Sequence, residues 1–470
     1  MIILIAGCGF VGERLADLLH EAGHSVIGLT HSPESAARLA EGKPWRVQNC
    51  DISDATAVQA LAQPVDVVVH CASSNRGGAD VYRAVYERGM ANLANAFSQA
   101  TLVFTSSTSV YAQNDGSTVT EDAPAIPDRE TGRILRSTED FVVARGGTVA
   151  RLAGIYGPGR SFVLKNLLES KSAIEGYEGT GRAINQIHRE DAAAALKHLI
   201  ENKCSGTFNV VDDAPCTQRE CFEWLAPLFS LPLPPEAPPN PDRKRGNTHK
   251  FVSNAKLKAT GWTALYPSYR DAVHHDPLLV SSILDIVMTE TGTAPRSPNI
   301  IIIGLMGCGK STVGRIVANK IGFQFVDTDH LITDEAKCSI PRIFEREGEV
   351  GFRVRESAAL RSLLGKRGCV IATGGGIITQ NHNLPLLRHL GYIVWLDAAV
   401  LTLARRTANN HDRPLLNDED PKIKLERLLT LRKPLYKQLA DLRIQTDDLT
   451  PQETSYGVAE SASVWFAGLR

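Results

Sequence analysis

A membrane-crossing helix needs about 20 consecutive apolar residues, and no apolar run in this 470-residue chain approaches that length. The chain also lacks an excess of either charge. Its 51 Lys+Arg stand against 52 Asp+Glu, so nothing global points to nucleic acid or to an anionic membrane as a partner. The apolar start, MIILIAG, has no basic flank and runs straight into a glycine loop, which marks a core strand and not a signal peptide. The cysteines number nine, an odd count with no CxxC pair among them. That pattern excludes a zinc-type cluster and leaves a reducing cytoplasm as the simplest home. Cys8 and Cys308 lie inside glycine loops, where a small side chain is what fits. No internal duplication is visible, and the apolar content of 43% is that of an ordinary globular chain. The length suits two or three domains.

What the chain does have is a phosphate loop. Residues 304–312 read GLMGCGKST, preceded by the apolar run NIIII and followed by the helix-patterned VGRIVANKIG. This is G-x-x-x-x-G-K-[ST] in its strand–loop–helix setting. Glycines let successive backbone N–H groups turn onto phosphate oxygens, and the helix that follows aims its positive end at them. Lys310 adds a mobile cation, and the Ser311 hydroxyl is a natural oxygen ligand for Mg²⁺.

Further motifs follow in order. The stretch GFQFVDTDHLI is a short strand ending in Asp327 and Asp329, which point the same way on an extended segment. One carboxylate can reach the metal shell and the other an acceptor hydroxyl, the competing reading being a pair of helix-capping aspartates. Then come FRVRE, a buried strand breaking into Gly374-Gly375-Gly376, and LARRTANNHDRPLL, a polar stretch carrying Arg413. An arginine on a mobile loop can neutralise charge on a transferred phosphoryl group. A helix with RKPLY brings Arg432, whose guanidinium suits a carboxylate.

In the order GLMGCGKST, FVDTD, FRVRE, TGGG, RPLL and RKPLY, residues 298–466 closely resemble shikimate kinase. The resemblance implies ATP, Mg²⁺ and shikimate as ligands. Gly307, Cys308, Gly309, Lys310, Ser311 and Thr312 become the triphosphate cradle, with Ser311 and Asp327 on the metal. It places Asp329 on the ring hydroxyls and Arg353, Gly375 and Arg432 on the substrate carboxylate. Arg406 would lie against adenine, and Arg413 would be the lid arginine on the phosphates. Lys310, Asp329 and Arg413 are thereby the catalytic candidates. A kinase for another sugar acid, such as gluconate, is the nearest alternative.

The first 30 residues are a strand, Gly7-x-Gly9-x-x-Gly12, a helix and a second strand, the dinucleotide fingerprint in a full βαβ unit. The second strand ends Thr30-His31-Ser32, with no acid for a ribose 2′-OH, which favours NADP over NAD and leaves both open. Asp51 is placed to receive the adenine amino group. With VDVVVHCAS, TLVFTSSTSVYA, RLAGIYGPGR and QIHREDAAAAL, this half resembles the extended short-chain dehydrogenases/epimerases. That family works through Tyr-x-x-x-Lys, and here Thr131 and Leu135 stand in those places. A threonine hydroxyl is a poor acid or base near neutral pH, and leucine carries no charge. Tyr111 is either a substitute or a packed strand-end tyrosine. The expectation is a two-domain α/β protein: a Rossmann-type doubly wound sheet over 1–275, a linker over 276–297, and a three-layer kinase fold of the nucleoside monophosphate kinase type over 298–470. The first unit is expected to bind NADP or NAD with degenerate chemistry. The alternatives are a regulatory scaffold and a bifunctional kinase with a reductase or epimerase half.

Overall fold

The computed structural model describes residues 1–75, 77–239, 248–293, 295–408 and 420–468. The chain separates into two compact units. One comprises Met1–Gly157, Ala173–Cys221 and Pro235–Ala272; the other comprises Pro158–Ser172, Phe222–Pro234 and Val273–Arg470.

In the first unit, strands β1 (Ile2–Ala6), β2 (Ser25–Thr30), β3 (Arg46–Asn49), β4 (Val67–His70), β5 (Thr101–Ser107), β6 (Thr148–Leu152) and β7 (Gly206–Val210) form one sheet in the order β7-β6-β5-β4-β1-β2-β3. Every pairing in it is parallel. Runs such as IILIA and VVVH read apolar at every position because a parallel sheet is covered on both faces. The strand order reverses between β1 and β4, and the glycine loop sits at that switch point, between β1 and α1 (Gly12–Glu21). Helix α2 (Glu130–Val143) lies against β5 and β6, and helix α3 (Arg189–Glu201) lies against α1.

The second unit begins its main fold with α4 (Leu279–Thr291), closed by Gly292 at φ 74°. Its sheet holds β8 (Ile300–Ile303), β9 (Gln324–Asp327), β10 (Cys369–Ala372), β11 (Tyr392–Asp397) and β12 (Leu442–Gln445), all parallel, in the order β9-β10-β8-β11-β12. Around it lie α5 (Lys310–Ile321), α6 (Thr328–Ala336), α7 (Ile340–Arg361, broken at Gly348), α8 (Asn383–Leu390), α9 (Val400–Thr407), α10 (Pro421–Leu439) and α11 (Pro451–Gly468).

The segment 276–297, expected as a linker, is largely the packed helix α4. Its LVSSILDIVM run buries Leu279, Val280, Ile283, Leu284 and Val287, and α4 lies against α8 and the short helix Phe162–Leu168. Lys165 Nζ reaches Glu290 at 2.6 Å, and Ser282 Oγ accepts from Gly159 N at 2.8 Å. The Phe229 ring sits 5.2 Å from the buried His389 ring, and Arg367 Nε donates to Ser230 Oγ at 3.1 Å. The second unit therefore takes in two short pieces of the first half of the chain, where the expected boundary at 275 kept them apart. An apolar run such as LVSSILDIVM is compatible with a packed helix, but a linear reading does not show which distant residues cover it.

Candidate functional site

The phosphate loop leaves β8 through three glycines with left-handed or open backbone, Gly304 at φ 145°, Gly307 at φ 83° and Gly309 at φ 98°. Gly309 is the residue before α5, so the loop's N–H groups and the helix N-terminus face one side. A side chain at Gly307 would meet Thr407 Cγ2 at 2.8 Å and Leu403 O at 3.1 Å, which packs α9 against the loop. Lys310 Nζ donates to the carbonyls of Gly304 at 2.9 Å and Leu305 at 3.1 Å, so the ammonium is held over the loop it would serve.

Ser311 and Asp327 are brought together. Ser311 Oγ donates to Asp327 Oδ2 at 2.7 Å. Asp327 Oδ1 accepts from Asp329 N at 3.0 Å and so also caps α6. Asp327 thus caps α6 through one oxygen and meets Ser311 through the other. Two hard oxygen donors in contact beside a phosphate loop fit Mg²⁺, which takes few protein ligands and keeps the rest for water and phosphate.

The three consecutive glycines at the end of β10 each have a separate reason. A Cβ at Gly374 would strike Glu356 Oε1 and come 3.0 Å from Asp329 Oδ1; at Gly376 it would fall into the Arg353 guanidinium. At Gly375 it would meet the start of the phosphate loop, 3.3 Å from Gly304 O and 3.4 Å from Met306 N. The Gly375 carbonyl accepts from Arg432 Nη1 at 3.1 Å and from the Tyr436 hydroxyl at 2.6 Å. Asp329, Arg353, Gly375 and Arg432, named from the sequence, therefore gather at one strand end beside the phosphate loop.

The charges here are buried and mutually adjusted. Arg353 is 7% exposed, pairs with Glu356 and donates to Glu349 at 2.8 Å. Burial works against its charge, but the two glutamates outweigh that and raise its pKa. Arg432 is shifted the other way, mainly by burial and further by the Arg353 charge. Glu356 is fully buried, with Oε1 lacking a hydrogen-bond partner among the described residues, and burial raises its pKa despite Arg353. Glu356 and Tyr436 received no role from the sequence. The signal was available in spacing: each lies one helical turn after a named arginine, Arg353 and Arg432 respectively. Arg406 is exposed on α9 and donates to Thr446 O at 2.9 Å, which steadies it at the end of β12. Arg413 falls outside the described residues.

Residues 306–462 match the family model for shikimate kinase. A shikimate kinase from Marinomonas sp. (strain MWYL1) is 43% identical over 168 residues, covering 35% of this chain and 92% of that relative. The chain belongs to the shikimate kinase family. A shikimate kinase from Cupriavidus pinatubonensis (strain JMP 134 / LMG 1197) is 48% identical over 149 residues, 32% of this chain and 78% of its own length. In this member, the kinase half follows a domain that those relatives' alignments leave uncovered. Residues 3–210 match the NAD dependent epimerase/dehydratase family model. A dTDP-glucose 4,6-dehydratase double mutant from Streptomyces venezuelae superposes with TM-score 0.50 at 19% identity, over 62% of this chain and 98% of that one, which shows the fold of this half.

At the dinucleotide fingerprint the glycines again divide their work. A Cβ at Gly7 (φ 102°) would overlap the backbone of Ala72, and one at Gly12 would strike Gly7 O; at Gly9 it would meet nothing within 4 Å. Gly7 and Gly12 thus close the turn, and Gly9 presents backbone to open space, as a pyrophosphate requires. Asp51 is half-exposed and accepts from Ser53 N at 2.9 Å and Ser53 Oγ at 2.8 Å, with His31 Nδ1 3.9 Å away. Leu135 is buried in the core on α2, and Thr131 begins the same helix. Tyr111 is fully buried; its hydroxyl donates to Asn209 Oδ1 at 2.9 Å and accepts from Arg151 Nη1 at 2.7 Å. Arg151 in turn holds Glu139 at 2.7 Å. Tyr111 is the packed strand-end tyrosine, committed to a buried network and further raised in pKa by burial.

Proposed function

We propose that the second unit phosphorylates shikimate with ATP, and that the observation carrying this reading is the convergence of Arg353, Arg432 and Asp329 around Gly374–Gly376 beside the Ser311–Asp327 pair. Shikimate has one carboxylate and three hydroxyls. Two buried guanidiniums supply a fork for the first, and Asp329 supplies an acceptor for the proton of the attacking hydroxyl. Glu356 holds Arg353 in position from behind. Lys310 exchanges its loop carbonyls for phosphate oxygens, and residues 307–312 donate backbone N–H groups to the triphosphate. Ser311 and Asp327 would hold Mg²⁺, which supplies charge neutralisation across the transferring phosphoryl group. The role of Arg413 as lid arginine and that of Arg406 against adenine rest on the resemblance.

The proposed domain limits are a dinucleotide-binding unit up to about residue 275 and a kinase from 298, with α4 belonging structurally to the kinase. For the first unit we propose NADP(H) binding without ordinary reductase or epimerase turnover. Gly9 is open to a ligand, and no acid follows β2, while Thr131, Leu135 and the buried Tyr111 offer no activated phenol. The test uses the full chain. ADP release is measured with shikimate, gluconate and no acceptor, and thermal shift is measured with NADPH, NADH and neither. Faster turnover with gluconate than with shikimate overturns the first reading; a larger shift with NADH overturns the second.

A further inference from the structure

Outside both sites, thiol chemistry concentrates at one turn of the first unit. Residues 216–221 read CTQREC. Cys216–Thr217 form a short strand antiparallel to Ala183–Ile184, and the helix Gln218–Leu228 begins at once after it. The junction is a reciprocal capping box. Glu220 Oε2 accepts from Thr217 N at 2.8 Å, and Thr217 Oγ1 accepts from Glu220 N at 3.2 Å. In such a box the residue before the cap packs on the fourth residue of the helix, a place ordinarily filled by two apolar side chains. Here the two are Cys216 and Cys221, which flank the capping box at the head of the helix.

The partners are unequal in the way a reacting pair requires. Cys216 is half-buried and Cys221 is 1% exposed, so an incoming oxidant meets Cys216 first. The neighbouring Cys221 thiol pulls the Cys216 thiol down, with help from the Arg270 charge and against burial and Glu220. Cys221 is pushed up by its Cys216 neighbour and by burial. Cys8, Cys50, Cys71 and Cys369 are all raised by burial, whereas the Cys216 thiol is lowered. A thiol at a helix N-terminus beside a cation is where thiolate character is expected.

We propose that Cys216 and Cys221 form a reversible redox-modification site whose oxidant is hydrogen peroxide, with Cys216 as the attacking sulfur and Cys221 as the resolving one. The Cys216 thiolate attacks one peroxide oxygen and the O–O bond breaks. Cys216 becomes a sulfenic acid, and the other oxygen leaves as water after taking a proton. Cys221 then attacks that sulfur, losing its proton; the S–S bond forms and the second oxygen leaves as water. Two thiols are oxidised and one peroxide is reduced to two waters. The disulfide would tie the 183–184 strand pair to a helix whose first residue, Gln218, accepts from Glu175 N at 3.0 Å and Arg182 N at 3.2 Å.

The experiment titrates the reduced full chain with hydrogen peroxide, blocks remaining thiols with iodoacetamide, and maps peptides by mass spectrometry without reduction. The expected result is a 216–221 intrachain disulfide, reversed by dithiothreitol, appearing before oxidation at the other half-buried cysteines Cys71, Cys204 and Cys338. Cys221→Ser should leave Cys216 as a sulfenic acid that dimedone labels, and Cys216→Ser should leave Cys221 unoxidised. The proposal is overturned if both remain alkylated when those three are oxidised, or if Cys216 pairs elsewhere. Should a variant fail to fold, the wild-type mapping decides alone.

Discussion

Replacing Arg432 by lysine keeps a positive charge and removes a planar fork. Arg432 is 5% exposed, and its Nη1 donates to the Gly375 carbonyl at 3.1 Å. That carbonyl also accepts from Tyr436 at 2.6 Å, so it stays satisfied in the variant and the strand end should hold its shape. What is lost is the second guanidinium bond to a substrate carboxylate. A hydrogen bond to a charged group contributes about 1.5–3 kcal/mol, and about 1.4 kcal/mol is tenfold in affinity. The KM for shikimate should therefore rise roughly 10- to 150-fold, with the KM for ATP within about twofold of wild type. Initial rates of ADP release, with each substrate varied at saturation of the other, measure this directly. A thermal midpoint near that of wild type shows that the fold is intact. An unchanged shikimate KM, or equal losses toward both substrates, would refute the carboxylate clamp. Arg353→Lys is the poorer test. It disturbs the pairing of the buried Glu356, so a change in stability would accompany any change toward the substrate.

Gly376→Ala should raise the shikimate KM and lower the thermal midpoint while leaving ATP binding alone, because its methyl group would occupy the place of the Arg353 guanidinium. Lys310→Ala should lower kcat by roughly 10²-fold or more, and wild-type turnover would mean the loop has been misread. A chain starting at residue 298 keeps every named kinase-site residue but loses α4 with its five buried aliphatic side chains. It should retain turnover per folded molecule, with a thermal midpoint roughly 5–10 °C below that of a chain starting at 273; equal midpoints would show that α4 is only a passenger. Burial pulls the Lys250 ammonium from 10.5 down to about 8. The folded state thus binds this proton less tightly than the unfolded chain. The cost to stability is full below about pH 8 and fades as pH rises toward 10.5. Lys250→Met should therefore stabilise the first unit at pH 7 by up to about 3 kcal/mol, with the gain shrinking across that window in urea titrations.

The kinase site was legible in the sequence to the extent that its chemistry demands particular residue types at short range. A phosphate loop needs its glycines, lysine and serine within nine residues, and β9 delivers Asp327 to Ser311 because parallel strands feed the same edge. The dinucleotide loop was legible for the same reason. What the sequence did not show are residues whose role is to hold another residue. Glu356 and Tyr436 touch Arg353 and Gly375, and a buried glutamate on a charged helix looks, in one dimension, like a solvated one. Three glycines after a strand read as room for a ligand, yet Gly374 and Gly376 are first of all room for Glu356 and Arg353. Tyr111 shows the converse. As a sequence position it stood open as a replacement acid, and the Asn209–Arg151–Glu139 network that occupies it is assembled from β7, β6 and α2. Long-range partners decide such cases, and they decide the edge of the second unit too. The helical period of LVSSILDIVM marks an apolar face, but only the fold brings α8 and the helix Phe162–Leu168 against it. A residue's chemistry is written locally, whereas its freedom to use that chemistry is set by whatever the rest of the chain packs around it.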